Sequence, residues 1–308
     1  MLASFQEALF GLDPDDINYK IFYENVSKSI SFELILSRFE PGYTLYAYFM
    51  ANAVGASYEE FVLVSAILSI SIKLYCFAKL KRPVIVAALY LFSLFFMLEL
   101  VQVRFALSLS FALLGVELWR RSQTTASIIF LFLAASVHYS VVIFIAFSVL
   151  PHIFLQALNR KHILIFLTSM IGLLAIIRDG SFVVDYVSSY NPLIRTYLLN
   201  QGGGDLNPIN AQSLLFSLLI ILGLFKWNNM TIFARRYYLF SLFSLSLYFV
   251  FLNSPVIASR VIEASTIAQI YWVTQGLGRS RAGVEIILLT FFSLFRFLDL
   301  LIFTELFI

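Results

Sequence analysis

The run LELVQVRFALSLSFALLG, residues 98–115, indicates the fold class, because it is largely apolar and yet keeps an arginine, Arg104, in its middle. A charged side chain at bilayer depth costs about 2.5–3.5 kcal/mol on insertion scales. An arginine in such a run therefore marks either a function or a boundary between helices. The surrounding sequence has to distinguish the two.

The composition indicates a membrane protein. Of the 308 residues, 60% are hydrophobic and 13% are charged, and the mean hydropathy is +0.88. A soluble domain cannot bury that much apolar surface in one core. The sequence therefore predicts an all-α, polytopic integral membrane protein that forms one membrane domain over residues 1–308. We expect about 9–11 transmembrane helices, including short or broken ones.

The apolar runs and the basic clusters between them predict the topology. Runs long enough, or nearly long enough, to span a bilayer lie at about 61–78, 84–101, 105–119, 162–177, 211–226, 235–252, 255–274 and 284–303. Basic residues at 79–83, 119–121, 159–161, 235–236 and 278–281 should face the cytoplasm. The net charge of +3 arises from these clusters, which are topology signals and not a nucleic-acid surface.

One stretch, residues 126–157, has basic clusters on both sides and should cross the membrane an even number of times. We interpret it as a hairpin of helices at about 126–137 and 140–156, with its turn at VHYS; a single long helix is the alternative. The same parity places Arg104, Glu40 and the loop 178–210 on the outer side. TLYAYFMANAVG, within an extracytoplasmic or interfacial segment 1–60, is too short to cross.

Several ionisable residues are candidates for a site on that outer side. Arg104 is either an anchor at the interface or a cation for phosphate, which suits a guanidinium fork. Arg260, with Glu263 three residues later, is either half of a buried structural pair or a second phosphate-binding cation. Arg195 adds a third outer arginine.

His138 is a hydrogen-bonded core residue, a general base or a ligand of a pyrophosphate oxygen. The carboxylates Asp13 and Glu40, with Tyr19 and Tyr43, belong either to solvated loops or to a surface that binds sugar hydroxyls. No cluster of His, Cys and carboxylates has the spacing of metal ligands, so we expect no metal and no cofactor.

The order of four segments resembles the EpsG family of Wzy-type exopolysaccharide and O-antigen polymerases: GLDPDDINYKIFYEN, then EPGY, QVRFALSLSFALLG and LAASVHYSVVIF. In that family a G-x-D-x-x-x-Y segment, an E-P-G-[YF] turn, an arginine that opens a small-residue helix and an H-x-S follow in that order. The resemblance is good over residues 11–150 and loose beyond. Relatives usually carry a helix before the first segment, so either that helix is absent here or, as we expect, the true N-terminus lies upstream of Met1.

The resemblance implies a metal-independent glycosyltransferase in the bacterial cell (inner) membrane, with multiple spans. It would join undecaprenyl-pyrophosphate-linked oligosaccharide repeat units on the outer face, transferring the growing chain to a sugar hydroxyl. In that reaction arginines would stabilise the pyrophosphate, and a histidine or carboxylate would act as base: Arg104, Arg260 and Arg195 for the first role, and His138, Asp13 or Glu40 for the second. Tyr19 and Tyr43 would contact sugar.

The resemblance also implies partners, which are membrane lipid, a flippase and a chain-length regulator, with no nucleic acid. A secondary transporter or lipid-linked glycan flippase is the main alternative, although such proteins place charges at mid-membrane depth and often have two related halves. An O-antigen ligase or a membrane acyltransferase is a further alternative, and a purely structural membrane protein is the last.

Overall fold

The computed structural model describes residues 14–28, 40–165, 169, 211–251, 255–276 and 283–306, and the regular secondary structure there is helical. The α-helices are α1 (Pro14–Lys28), α2 (Pro41–Phe49), α3 (Tyr58–Phe77), α4 (Pro83–Ser93), α5 (Val103–Arg120), α6 (Thr124–Val137), α7 (Val141–Ser148), α8 (His152–Ala157), α9 (Ala211–Lys226), α10 (Ile232–Val250), α11 (Pro255–Gly276) and α12 (Gly283–Leu306). Two π-helical segments, Met50–Val54 and Phe96–Val101, and a 3₁₀ turn, Trp227–Asn229, complete these elements.

The chain forms two compact units. The first comprises Met1–Val149 with Ser293–Ile308, and the second comprises Leu150–Phe292. The predicted all-α class is confirmed for the described residues. Among those residues one helix, α3, is long and apolar enough to cross a membrane, while α4 and α6 are apolar but shorter. The number of spans therefore stays a prediction.

Two predicted helices are broken in the structure. The run 84–101 does not form one helix: α4 ends at Ser93, and the chain resumes as the π-helical segment Phe96–Val101. The second arm of the predicted hairpin, 140–156, is also divided, because α7 ends at Ser148 and α8 follows Pro151. Proline has no N–H to continue the helical hydrogen bonds. The predicted turn at VHYS is confirmed, since α6 and α7 flank it.

Small residues let α5 pack closely between its neighbours in the first unit. Ser108 Oγ donates to the carbonyl of Ala134 in α6 at 2.7 Å. On another side of α5, the hydroxyls of Ser110 and Ser69 in α3 lie 2.8 Å apart. Short side chains of this kind allow helix backbones to approach, and their hydroxyls bond across the contact. The packing fixes the start of α5, where Arg104 lies.

Aromatic packing holds α1 against α2 and α3. Phe22 stacks on Tyr43 with ring centroids 6.1 Å apart, and Tyr23 stacks on Phe61 at 4.8 Å. The Tyr23 hydroxyl also donates to the carbonyl of Ala56 at 2.8 Å. Such pairs contribute about 0.5–1.5 kcal/mol beyond the area they bury. They set the register of α1 and so place Tyr19 beside the start of α5.

The other predicted runs that the structure describes lie in the second unit, apart from the part of α12 that follows Phe292, which belongs to the first unit. Residues 211–226, 235–252, 255–274 and 284–303 correspond to α9, α10, α11 and α12. In the core of the second unit, Tyr237 of α10 packs on Tyr271 of α11 with centroids 4.9 Å apart, and Tyr238 meets Trp272 edge to face at 5.5 Å. The loop 178–210 and most of 162–177 lie outside the described residues.

Candidate functional site

The EPGY segment places Glu40 at the beginning of α2. Pro41 occupies the first turn, where its missing N–H costs nothing. The backbone N–H of Thr44 donates to the Glu40 carbonyl at 3.1 Å, which closes that turn. The Glu40 side chain makes no capping bond to its own helix. Its carboxylate is therefore directed away from α2, toward α5 and α6.

Gly42 lets α2 approach α6. A Cβ atom at this position would lie 2.3 Å from Ser136 Oγ and 2.8 Å from the Ser136 carbonyl carbon. Cβ atoms essentially never come so close to another atom, and the second contact is with backbone, which cannot turn aside. Only glycine fits, and the approach it permits brings Glu40 next to the end of α6.

Arg104 lies in the first turn of α5 and pairs with Glu40. Its Nη1 donates to Glu40 Oε2 at 2.6 Å, and its Nη2 donates to the Tyr19 hydroxyl at 3.0 Å. The guanidinium carbon lies 5.1 Å from the ring centroid of Tyr19 and 5.7 Å from that of Tyr43. A cation is unfavourable at the positive end of a helix. The Glu40 carboxylate and the two ring faces offset that cost.

His138 is the first residue after α6 and binds the other oxygen of the same carboxylate. Its backbone is extended, its Nδ1 lies 2.6 Å from Glu40 Oε1, and its ring meets Phe105 edge to face at 5.7 Å. The backbone N–H of Tyr139 donates to that oxygen at 3.4 Å. Glu40 thus bridges Arg104 and His138, and we call these three residues the Arg104–Glu40–His138 network.

The electrostatics of the network assign the proton on the histidine ring. Burial raises the pKa of Glu40, but the hydrogen bond with His138 and the charge of Arg104 outweigh it and lower that pKa to about 2. The carboxylate is therefore ionised and can only accept hydrogen bonds. Nδ1 must be the donor, which leaves Nε2 as the ring nitrogen that can take up a proton. A carboxylate orients an imidazole in this way in hydrolase triads.

The structure brings five of the predicted site residues together: Glu40, Arg104, His138, Tyr19 and Tyr43. The two tyrosines are buried, with 9% of Tyr19 and 3% of Tyr43 exposed. Their rings cover the guanidinium and pack on α1 and α2. The geometry favours this packing role, and sugar binding by these tyrosines stays a prediction.

The remaining predicted residues are not part of the described network. Asp13 and Arg195 lie outside the described residues. Arg260 belongs to α11 in the second unit, three residues before Glu263 in the same helix, and its side chain is outside the described part of the structure. In the described ranges no three His, Cys, Asp or Glu side chains form a group that could hold a metal ion.

A second charged cluster lies in the first unit, and none of its residues was among the predicted site residues. Lys73 of α3 pairs with Glu99 of the π-helical segment, and the side chains of both are at most 1% exposed. A lysine inside the apolar run 61–78 was the available signal, since such a charge in a span is costly unless it is paired. Its partner could not be identified from periodicity.

Comparison with known families identifies the chain. A sequence model described as the EpsG family matches residues 3–306, nearly the whole length. The chain belongs to the EpsG family. No curated protein and no solved structure matches it. Membership of the EpsG family points to a membrane protein with a role in exopolysaccharide biosynthesis, and the predicted resemblance is confirmed beyond residues 11–150.

Proposed function

We propose that this EpsG-family protein polymerises undecaprenyl-pyrophosphate-linked oligosaccharide repeat units on the outer face of the bacterial inner membrane, as a multi-pass enzyme. The growing chain passes from its lipid pyrophosphate to a sugar hydroxyl of the next unit. The observation that carries the proposal is the Arg104–Glu40–His138 network, in which an arginine and a histidine share one buried carboxylate.

The acceptor hydroxyl loses a proton in this reaction, and His138 has the tautomer to take it. Nδ1 donates to the ionised Glu40, so Nε2 is the basic atom. The imidazolium that forms is stabilised by the same carboxylate. Glu40 is a poor base itself, because its pKa is about 2. We therefore assign Glu40 to orienting His138, while Asp13 remains a candidate base from the sequence alone.

The lipid pyrophosphate leaves with the electron pair of the broken bond to the sugar C1, while a bond forms from C1 to the acceptor oxygen. Negative charge develops on phosphate oxygens, which a guanidinium fork stabilises through parallel N–H donors. Arg104 lies on the opposite side of Glu40 from His138 and is the first candidate for this role. Arg260 and Arg195 remain candidates from the sequence, with no geometry to support them.

A lipid-linked glycan flippase or secondary transporter is the second candidate function. The observation that favours it is the Lys73–Glu99 pair, because its lysine lies inside α3, the helix that is long and apolar enough to span a membrane. Charges at mid-membrane depth line transport paths. A polymerase pathway would itself use a separate flippase and a chain-length regulator as partners. An O-antigen ligase differs from a polymerase in its acceptor.

The size distribution of surface glycan in a gene-deletion strain tests the proposal. We expect the deletion to leave single repeat units on the cell surface and the wild-type gene to restore a ladder of long polymer. Loss of all surface glycan, with repeat units accumulating on the cytoplasmic side, would favour the flippase. Long polymer that fails to reach its final acceptor would favour the ligase, and long polymer that persists normally would contradict the proposal.

A further inference from the structure

Lys73 is fully buried on α3 and uses its ammonium donors on three different partners. Nζ donates to Ser69 Oγ at 2.8 Å and to the carbonyl of Ala106 at 3.0 Å. The third contact is an ion pair with the Glu99 carboxylate. An ammonium has three N–H donors, so the position of Lys73 is fixed from three directions.

Glu99 connects this lysine to two further parts of the chain. It lies in the π-helical segment Phe96–Val101 and is fully buried. Its Oε1 accepts from Lys73 and from the hydroxyl of Tyr90 in α4. Short π-helical segments occur frequently at functional sites, because they alter the direction of a helix at a defined residue. Here the segment ends directly before α5.

Two of the three contacts of Lys73, those with Glu99 and with Ala106, hold the beginning of α5. Glu99 belongs to the segment that leads into the helix, and Ala106 belongs to its first turn, together with Arg104. The residue that precedes α5, Gln102, makes no side-chain capping bond to it. Lys73 and Glu99 therefore clamp the two sides of the junction from which Arg104 extends to Glu40.

We propose that Lys73 and Glu99 are positioning residues for the Arg104–Glu40–His138 network. They fix the first turn of α5 so that the guanidinium meets Glu40, whose other oxygen orients His138. This inference rests on the proposed function. A hydrogen bond such as the 2.6 Å contact of Arg104 with Glu40 weakens steeply with displacement. A misplacement of about 1 Å can lower the rate of an enzyme about 100-fold.

The alternative role, a contribution to stability alone, predicts a different response to substitution. Removing one partner strands a buried charge and destabilises a protein, whereas replacing both partners with apolar residues of similar volume is often neutral. The double variant Lys73→Met/Glu99→Leu therefore keeps the fold while it removes the bonds to Ala106 and Tyr90. The single variant Glu99→Gln serves as a milder change.

The experiment uses the full-length protein, with repeat units on lipid extracted from a deletion strain as substrate. Thermal midpoint, kcat and KM are measured for both variants. The rate at which diethyl pyrocarbonate labels His138, mapped by mass spectrometry, reports the surroundings of its imidazole ring. This measurement does not require the protein to be active. We expect the double variant to keep its thermal midpoint, to lose about 10- to 100-fold in kcat and to change the His138 labelling rate about threefold or more.

A matched control is the ion pair between Lys226 and the buried Glu285, which lies in the second unit. Glu285→Gln should lower the thermal midpoint as Glu99→Gln does, without a change in His138 labelling. Wild-type kcat and labelling in the double variant would overturn the proposal. If the wild-type protein makes no polymer but labelling still changes in the double variant, the proposed function fails while the positioning role stands.

Discussion

Two buried ion pairs in the first unit differ in where they lie along their helices. Arg104 and Glu40 meet at helix ends, and their side chains remain 11% and 10% exposed. Lys73 lies within α3, and its side chain and that of Glu99 are 1% and 0% exposed. Both pairs carry the same charges. Of the two, the first keeps some exposed side-chain surface.

Their neighbours differ as well. Glu40 shares its carboxylate with His138, whose class of side chain changes charge near neutral pH. Glu99 shares its carboxylate with Tyr90, and Lys73 bonds a serine and a backbone carbonyl. The pair at the helix ends thus has beside it the histidine that the proposed proton transfer requires, while the pair within the helices contacts backbone.

The largest expected effect is at His138. We predict that His138→Ala lowers kcat about 100- to 10,000-fold, the usual contribution of a general base. The rate of polymer formation from lipid-linked repeat units measures it. Tyr139→Phe is the matched control, because Tyr139 is exposed and reaches the network only through its backbone N–H. A His138→Ala enzyme within a few-fold of wild type would place the proton transfer elsewhere.

The next effect is at Gly42, whose substitution separates the two halves of the network. Gly42→Ala adds a Cβ that collides with Ser136, and overpacking of this kind costs about 1–3 kcal/mol. Activity should fall because α2 moves Glu40 away from His138. Chemical or thermal unfolding and polymer formation measure the two losses.

Two companion variants sharpen the Gly42 result. Gly283→Ala should be neutral, since nothing lies within 4 Å of a Cβ there. Ser136→Ala should not rescue Gly42→Ala, because the contact with the Ser136 backbone at 2.8 Å remains. A full rescue would show that only the hydroxyl contact matters.

The pH dependence separates the histidine from the carboxylate. Because a base must be unprotonated, kcat/KM should fall about tenfold per pH unit once the pH is low enough to protonate the histidine. No further carboxylate titration is expected between about pH 4 and 5, because the pKa of Glu40 is lowered to about 2. A single acid limb centred near pH 4.5 would contradict the assignment of the base to His138.

The smallest effect lies at the opposite end of α5. Ser122 follows that helix with a positive φ of 62°, and the N–H of Gln123 donates to the carbonyl of Leu118. Glycine is favoured at this position, and the strained conformation costs other residues about 1 kcal/mol. Ser122→Gly should raise the free energy of unfolding by about that amount with unchanged polymer formation. Ser122→Ala should give no gain.

Much of the network could be predicted from the sequence. The EPGY turn, the arginine before a small-residue helix and the histidine between apolar runs each stand out. The contacts among these residues could not be predicted from the sequence, because Arg104 and His138 lie 64 and 98 residues from Glu40 along the chain. Such contacts depend on close packing of helices, which in this protein requires glycine at position 42.

Other features could not be predicted from the sequence, also for physical reasons. Hydropathy averages over a run, so the apolar stretch 84–101 was predicted as one helix, which concealed the break after Ser93 and the π-helical segment. The pairing of Lys73 with Glu99 depends on that segment. Composition also cannot show whether a tyrosine ring is open or covered. The ring of Tyr43 is covered and packs on Phe22, and its contact with sugar stays a prediction.

The most direct test of the central claim measures polymer formation by purified protein in which the Arg104–Glu40 pair is removed. Because Arg104→Ala strands the buried carboxylate, Arg104→Met/Glu40→Gln is tested beside it as a variant without either charge. Arg120→Ala, at the half-exposed other end of α5, is the control. We predict wild-type polymer from the control and only single repeat units from both other variants. Long polymer from folded Arg104→Met/Glu40→Gln protein would contradict the account.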